Sequence, residues 1–404
     1  MLAGNFLLAG QLVEAPGTLL WDISGATPEF QDEAHGFAWL DDLAAVGDIT
    51  ARRRAQDWTW AWISRFGKGR GPGWTPDLTG RRLIRWINHA LMLMNGRSAA
   101  DTGTYFQALA AQTRFLARRW QAAGPGLPRF EALTGLIYAG LALTGMEQHV
   151  APAVAALARE CDAEIDAVGG IQTRNPEELL EVFTLLTWAA QVLGEAGKTI
   201  PPAHRAAIER IAPTLRSLRH ADGALARFHG GGRGMEGRLD HALAASGVKA
   251  VPGTGPAMGF LRLSGGRTTL IVDAADPPAG RAGTSAHAST LAIEMTSGRR
   301  PVIVSCGSGA PFGAEWHRAG RATPSHSTLS VEGYSSSRLN RGAPEILADR
   351  SHVKKSQPSE TAEGHILRLT QDGWVATHGL HHSRLLILSQ DGRHLGGQDE
   401  LRAI

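Results

Sequence analysis

Asn175 opens a helical segment in a way that suits carboxylate binding. In RNPEELLEVF, Asn175 can act as the N-cap, Pro176 takes the first helical position and Glu178 can reach back as a capping-box acid. These structural roles account for the three residues without any ligand. A functional role is compatible with them, because an Asn at a helix start can also donate its amide to a ligand carboxylate, aided by the positive end of the helix dipole.

Three histidines occupy segments in which an imidazole could do chemistry. His229 lies in FHGGGRG, a glycine-rich stretch that cannot form a core, so an exposed loop residue and a site residue are equal alternatives. The glycines would let a ligand approach the backbone closely. His287 in SAHASTL and His326 in PSHSTL each precede a predicted strand. Two histidines from adjacent strands could bind zinc, but no third ligand is obvious, and polar residues satisfied at the sheet end are the alternative.

Tryptophans beside a basic loop indicate a groove that could hold a sugar. The chain has 11 tryptophans, most of which we expect in the core, but residues 57–74, DWTWAWISRFGKGRGPGW, place three at period two before a basic, glycine-rich loop. This pattern is unlike an ordinary amphipathic helix and predicts a groove lined by Trp74. Arg219 ends a helix, where a cation is favourable at the negative end of the dipole without any other role.

The composition predicts two globular domains and does not indicate nucleic-acid binding. The 404 residues are 43% apolar, enough for two cores, and 41 basic against 38 acidic side chains leave a net charge of only +3. Two distant cysteines, Cys161 and Cys306, exclude a disulfide framework and a four-cysteine zinc site, and we expect both to be buried. The N-terminal apolar run has no basic residues before it, and no later apolar run reaches about eighteen residues, so we predict neither a signal peptide nor a membrane span.

The periodicity of the apolar residues changes near residue 250. Helical spacing over 36–245, punctuated by Gly or Pro, predicts helical hairpins stacked in series as in an α/α toroid. Beyond residue 255, short β-branched segments with Gly-containing turns predict an antiparallel β-sandwich, with strands in 289–307 and 326–333 among others. We therefore assign 1–250 to a helical domain and 255–404 to a sandwich, whose last strand-like segment coincides with the end of the chain and is compatible with truncation.

Six passages spread over nearly the whole chain form a recognisable set: GRRLIRWINHA, RNPEELLE, RHADGALARFHG, SAHASTLAIEMTSGRRPVIVSCGSG, RATPSHSTLSVEG and GLHHSRLLILSQDGRHLGGQDEL. Together they resemble the heparinase II/III-like polysaccharide lyases. That resemblance implies an α/α toroid followed by an antiparallel β-sandwich, the same order as the periodicity predicts. It also implies an acidic polysaccharide as partner and a periplasmic or cell-envelope location.

The resemblance implies β-elimination on a uronate. One side chain neutralises the uronate carboxylate, a base removes the neighbouring proton, and an acid protonates the departing oxygen. Asn175 falls at the carboxylate-neutralising position, and Glu178 at a position that the family also uses. Phe228 and His229 resemble the family's tyrosine-histidine pair, which makes His229 the implied base and leaves the acid unassigned.

The same resemblance implies a structural zinc and also shows where this chain departs from the pattern. The family's hairpin begins with His-x-His-x-Asp, which here reads Ser285, His287 and Ser289. The second histidine of that pattern binds zinc together with an Asp at the end of the hairpin, here Ser305, and a His in the following strand, here His326. Two zinc histidines are therefore retained, while the acidic ligand and the first catalytic histidine are replaced by serine.

These observations lead to three hypotheses. The first is a lyase for a uronate-containing polysaccharide, in which Asn175 and His229 act on the sugar while Arg174, Arg219 and Trp74 help bind it. The second is a non-catalytic protein that binds acidic saccharides and keeps the lyase fold, because the expected Tyr and His are substituted. The third is a hydrolase that uses paired carboxylates, with candidates Glu178, Glu181 and Asp222 but no spacing that singles out a pair. The sequence does not fix the oligomeric state.

Overall fold

The computed structural model describes residues 1–251, 253, 255–342, 345–354, 358–362 and 364–404. The α-helices within them are α1 (Pro28–Gly36), α2 (Trp39–Val46), α3 (Ile49–Phe66), α4 (Pro76–Asn88), α5 (Ala90–Met94), α6 (Ala99–Arg119), α7 (Leu127–Ala142), α8 (Val150–Glu164), α9 (Pro176–Glu195), α10 (Pro202–Ser217), α11 (Arg238–Ser246), α12 (Ala314–Gly320) and α13 (Val375–His378). The strands are β1 (Asn5–Leu8), β2 (Gln11–Glu14), β3 (Phe260–Gly265), β4 (Thr268–Asp273), β5 (Ile293–Ser297), β6 (Arg300–Ile303), β7 (Arg338–Leu339), β8 (Leu347–Asp349), β9 (Val353–Lys354), β10 (Ser359–Thr361), β11 (Gly364–Trp374), β12 (Leu380–Ser389) and β13 (Leu395–Ala403).

The chain divides into two compact units. The first comprises Met1–Glu164 and Thr184–Ala206, and the second comprises Ile165–Phe183 and Ala207–Ile404. The division falls inside helices α9 and α10, whereas the sequence places a domain boundary between residues 250 and 255. That boundary stays a prediction.

Two glycines allow helices α4 and α7 of the first unit to approach each other closely. A Cβ on Gly80 would lie 2.2 Å from the carbonyl oxygen of Glu131, and a Cβ on Gly135 would lie 2.5 Å from Cα of Gly80. Real Cβ atoms do not tolerate such distances, so the two backbones pack directly against each other. Large buried side chains surround this crossing, among them Trp86, Phe130 and Leu133.

Gly80→Ala is therefore expected to destabilise the first unit by about 1–3 kcal/mol, because the added methyl group must push two packed backbones apart. Gly103→Ala is the matched control: it lies in α6 with nothing within 4 Å of its added Cβ, and it should stabilise by up to about 1 kcal/mol through helix propensity. Chemical denaturation followed by tryptophan fluorescence measures both changes, since nine of the 11 tryptophans lie in the first unit. Equal stability of the two variants would show that the helices can separate without cost.

The second unit contains two antiparallel sheets that share one core. One sheet has the order β3-β4-β5-β6, and the other has the order β10-β11-β12-β13 with β9 beside β11. Alternate residues of each sheet point into a common apolar cluster, as in a β-sandwich. That cluster includes Leu261, Leu263, Leu270, Val272, Leu367, Leu369, Leu386 and Leu388.

Several local expectations differ from the structure. Residues 49–66 form an ordinary α-helix, in which Trp58 and Trp62 are fully buried. Residues 326–333 form no strand, and the hydroxyl of Thr328 there donates to the carbonyl oxygen of Thr290 in another segment. Cys161 is buried as expected, but Cys306 is exposed. Within the described ranges, every helix is too short or too polar to cross a membrane.

Candidate functional site

Asn175 caps helix α9 and keeps one donor free. Its Oδ1 accepts the backbone N–H groups of Glu177 (3.0 Å) and Glu178 (3.2 Å), which confirms the predicted N-cap. Because these two donors require an oxygen at that corner of the amide, Nδ2 is fixed on the other side. Within the described ranges Nδ2 has no hydrogen-bond acceptor, and the residue is half-buried.

The glycine-rich loop lies directly on Asn175. The N–H of Gly230 donates to Nε2 of His287 (2.9 Å), and the N–H of Gly232 donates to Oε2 of Glu177 (2.7 Å). A Cβ on Gly231 would lie 2.6 Å from Asn175 Oδ1. Glycine is therefore required here because the loop approaches Asn175 closely, whereas the sequence suggests only that these glycines admit a ligand. A side chain at this position would displace the amide.

Ser285 completes what we call the Asn175 site, which consists of Asn175, Glu177, Gly230–Gly232 and Ser285. A Cβ on Gly230 would meet Cβ of Ser285 at 2.9 Å and Nδ2 of Asn175 at 3.5 Å, so the serine and the free amide flank the same glycine. Ser285 is half-buried. The family's first catalytic histidine is thus replaced by a serine beside the free donor of Asn175.

His229, His287 and His326 form a fully enclosed cluster behind this loop. The rings of His287 and His326 are 5.1 Å apart, and those of His229 and His287 are 6.1 Å apart. His229 and His287 are 0% exposed. Nδ1 of His229 accepts the backbone N–H of His287 (3.2 Å), and its Nε2 faces the carboxylate of Asp273 at 3.5 Å. Neither His287 nor His326 begins a strand, contrary to the sequence prediction, because β5 starts only at Ile293 and β7 only at Arg338.

Burial keeps these imidazoles neutral. It lowers the pKa of His229, and it lowers the pKa of His287 still further, with the neighbouring His326 adding to that effect. Burial, followed by repulsion from His229, lowers the pKa of His326 to about 4. Phe228 packs beside this cluster, 5.0 Å from the ring of Phe260, and it is fully buried too.

The cluster does not match the ligands of a structural zinc. Nδ1 of His287 and Nε2 of His326 have no hydrogen-bond partner, which would suit a metal. The acidic position is Ser305, whose hydroxyl instead bonds Nδ1 of His326 at 3.1 Å, and the hydroxyl of Ser289 donates to Asp273 at 2.7 Å. Of the residues that the structure describes, no three His, Cys, Asp or Glu side chains converge on a common point that could hold a metal. Two neutral histidines are too few for a closed tetrahedral site, so the expected zinc does not fit.

Arg174 is a structural residue in this structure rather than the substrate contact that the sequence predicts. Its five N–H donors meet five acceptors, and each distance lies between 2.6 and 3.2 Å. Its guanidinium also stacks 4.6 Å from the centre of the Phe260 ring. No donor is left for a ligand. The five acceptors are the carbonyl oxygens of Met258, Gly259, Ala275 and Asp276 and the carboxylate of Asp273.

The remaining predicted residues lie elsewhere. Arg219 forms a surface ion pair with Asp240 (2.8 Å), and no contact among the described residues joins it to Asn175. Trp74 belongs to the first unit and lines a groove there. Of the carboxylates suggested for a hydrolase, Glu181 pairs with Arg238 and Asp222 accepts the N–H of Ala224 within a turn.

Three residues that position the site were missed from the sequence. Asp273 holds Arg174, and Arg321 donates to the carbonyl oxygens of Gly283 (2.8 Å) and Ala286 (2.9 Å), which fixes the segment carrying Ser285. Glu294 is fully buried and accepts from His220 at 2.8 Å. Asp273 ends β4, Glu294 lies in β5 and Arg321 directly follows α12, and in each place a lone charged residue gives no signal of its distant partners.

Comparison with known proteins agrees with this architecture. A family model described as heparinase II/III-like, C-terminal, matches residues 249–403. FtsZ-localized protein C of Caulobacter vibrioides (strain NA1000 / CB15N) is 32% identical over 417 residues, covering 98% of this chain and 70% of that protein.

Solved structures show the same fold at low identity. The crystal structure of heparinase III has a TM-score of 0.72 at 15% identity, covering 97% of this chain and 66% of that one. Heparan sulfate lyase HepC from Pedobacter heparinus has a TM-score of 0.57 at 14% identity, covering 100% of this chain and 67% of that one. This chain thus spans about two thirds of the length of these structures. The predicted fold, a helical toroid followed by a β-sandwich, is confirmed, and the chain belongs to the heparinase II/III-like family.

Proposed function

We propose that this protein binds uronate-containing saccharides at the Asn175 site and does not cleave them. The chain keeps the fold of the polysaccharide lyases. What carries the proposal is one contrast: the free amide donor of Asn175 remains open to a ligand, while the predicted base and its neighbour, His229 and Phe228, are completely buried.

The Asn175 site suits a carboxylate. Nδ2 of Asn175 is held in a single orientation by the two backbone N–H groups that bond its Oδ1, so little entropy is lost when it donates to a ligand. The N-terminal end of helix α9 adds a favourable field for an anion. A uronate carboxylate could accept from Nδ2 without displacing any protein contact.

The histidines, the aromatic residue and the serine at the family's positions are unsuited to β-elimination here. Both nitrogens of His229 face protein atoms, Nε2 of His287 accepts the N–H of Gly230, and Phe228 has no titratable atom. Ser285 carries an alcohol that is too weakly basic to remove the proton beside a carboxylate. A bound uronate would therefore be held but not deprotonated by these residues.

A lyase remains the second candidate because of one histidine outside the buried cluster. His317 on α12 is half-buried, and its Nδ1 lies 3.2 Å from the carbonyl oxygen of Ser308, so Nδ1 donates and Nε2 carries a free lone pair. Gly307, which directly precedes Ser308, lies against the glycine-rich loop, since a Cβ added to Gly307 would be 3.7 Å from the carbonyl oxygen of Gly231. His317 would be the base in that case.

Asn175→Asp tests the binding site with little change to the fold. Aspartate caps a helix as well as asparagine does, so stability should be retained. The variant replaces the Nδ2 donor by a negative charge, and we expect the affinity for a galacturonate hexasaccharide to fall at least tenfold, or about 1.4 kcal/mol. Isothermal titration calorimetry gives the affinity, and Gln172→Glu, which adds the same charge at an exposed position three residues away, is the control.

Turnover is measured separately. Ultraviolet absorbance reports the unsaturated uronate that elimination forms, and we expect no rise with wild-type protein on galacturonate or heparin-derived oligosaccharides. A rise that persists in His229→Ala but disappears in His317→Ala would establish the lyase with His317 as base. Equal saccharide affinity of the Asn175→Asp and Gln172→Glu variants would remove Asn175 from the site. A periplasmic or cell-envelope location, which the family resemblance implies, stays a prediction.

A further inference from the structure

We propose that the first unit carries a second binding site for acidic saccharides, a basic groove with a volume of about 430 Å³. The basic groove is lined by Lys68, Trp74, Arg114, Phe115, Arg118 and Arg119. It lies entirely within the first unit, whereas the Asn175 site lies entirely within the second. The inference rests on the proposed saccharide binding for its class of ligand, but not on the residues of the Asn175 site.

The four cations of the basic groove have no acidic partner. Among the described residues, no carboxylate lies within ion-pair distance of Lys68, Arg114, Arg118 or Arg119, although many other arginines of the chain are paired. The sequence explains this, because residues 58–76 and 102–130 contain no Asp or Glu. Four uncompensated positive charges in one concave surface repel each other and attract an anion of matching charge.

The two aromatic residues of the basic groove form a fixed platform. The indole N–H of Trp74 donates to the carbonyl oxygen of Phe66 at 2.7 Å, and the ring of Phe115 stands nearly perpendicular to it, 5.1 Å away. Both rings are half-buried, so part of each remains open to a ligand. A pyranose ring presents axial C–H groups that pack against such a surface, while its anionic substituents face outward towards cations.

The spacing of the cations fits a linear ligand. Arg114 and Arg118 are four residues apart and therefore lie one turn apart on the same side of helix α6. Lys68 approaches from the loop that follows α3. The volume falls within the range of about 300–1,000 Å³ usual for small-ligand sites.

The test compares two double variants that remove the same charge. Arg114→Ala/Arg118→Ala alters the basic groove, and Arg53→Ala/Arg159→Ala removes two exposed arginines of the first unit that have no ion pair. All four side chains lie on helix surfaces, so both variants should fold. We expect the affinity for a heparin-derived hexasaccharide, measured by calorimetry at two salt concentrations, to fall at least tenfold in the groove variant and less than twofold in the control. The affinity of the groove variant should also depend less on the salt concentration than that of wild type.

The outcomes separate the two sites. Equal affinities of the groove variant and its control would overturn the groove, even if Asn175→Asp abolished binding. A loss in the groove variant with no loss in Asn175→Asp would support the groove and remove the Asn175 site. Absence of saccharide binding by the wild-type protein would overturn both proposals. Tighter binding of a single-stranded oligonucleotide of equal charge, lost in the groove variant, would show that the ligand class is wrong.

Discussion

Replacing Arg174 by methionine should destabilise the second unit by about 3–5 kcal/mol, because it leaves a buried carboxylate without its partner. Asp273 is 0% exposed and lies 2.6 Å from Nη2 of Arg174. Methionine keeps an unbranched apolar stem beside Phe260 but supplies no donor, so four backbone carbonyl oxygens lose a partner as well. Hydrogen exchange of the amides of β3 and β4, together with circular dichroism during urea denaturation, measures the effect in this unit.

The pH dependence of that loss has a defined sign. Burial raises the pKa of Asp273, but the charge of Arg174, the neighbouring His229 and the hydrogen bond from Ser289 outweigh it, so the pKa lies well below its ordinary value. In the wild-type protein this carboxylate therefore contributes stability at neutral pH, and the contribution is lost only in strong acid. Without Arg174, burial dominates and the folded variant takes up a proton more readily than the unfolded chain. The difference in the free energy of unfolding between wild type and Arg174→Met should therefore become smaller as the pH falls below neutral.

Two further variants identify the cause of the loss. Arg216→Met removes an arginine that also donates to two backbone carbonyl oxygens but faces no buried carboxylate, and it should cost much less. Asp273→Asn combined with Arg174→Met should recover part of the stability, because the unpaired charge is gone. If Arg174→Met were as stable as Arg216→Met and yet lost saccharide binding, Arg174 would be a ligand contact, as the sequence predicts.

The start of the Asn175 site could be predicted because its signals are local. The N-cap and the proline after it depend only on neighbouring residues. The same holds for the hairpin of β5 and β6, which follows from β-branched residues around a Gly-containing turn. Patterns of this kind need no knowledge of distant partners.

The role of Arg174 could not be predicted because all its acceptors are remote in sequence. Its donors reach residues that lie 84 to 102 positions further along the chain. His229 is similar: it lies in sequence typical of an exposed loop, yet Asp273 and His287 enclose it. The groove around Trp74 was predicted from one side only, since its arginines come from helix α6, about forty residues later.

Acid should destabilise the first unit through His35. This residue is 4% exposed, and its Nδ1 accepts the indole N–H of Trp62 at 2.9 Å. Burial, with a smaller contribution from the charge of Arg82, lowers its pKa from 6.5 to about 4. The unfolded chain therefore binds one more proton than the folded protein between these values, so stability is complete above pH 6.5 and falls as the pH approaches 4. The full loss amounts to about 3 kcal/mol, since one unit of pKa corresponds to about 1.4 kcal/mol.

His35→Gln isolates this effect from the titration of the carboxylates. Glutamine offers an oxygen that can accept from Trp62 but does not bind a proton near neutral pH. At pH 7.5 the variant should be no more stable than wild type. Between pH 7.5 and 5 the free energy of unfolding should fall by about 2 kcal/mol more in wild type than in the variant. Urea denaturation followed by tryptophan fluorescence measures both. His149→Gln, the same substitution at a half-buried histidine of the same unit, is the control. Parallel pH profiles of wild type and His35→Gln would mean that His35 is protonated inside the folded unit, and the hydrogen bond from Trp62 would then have to break.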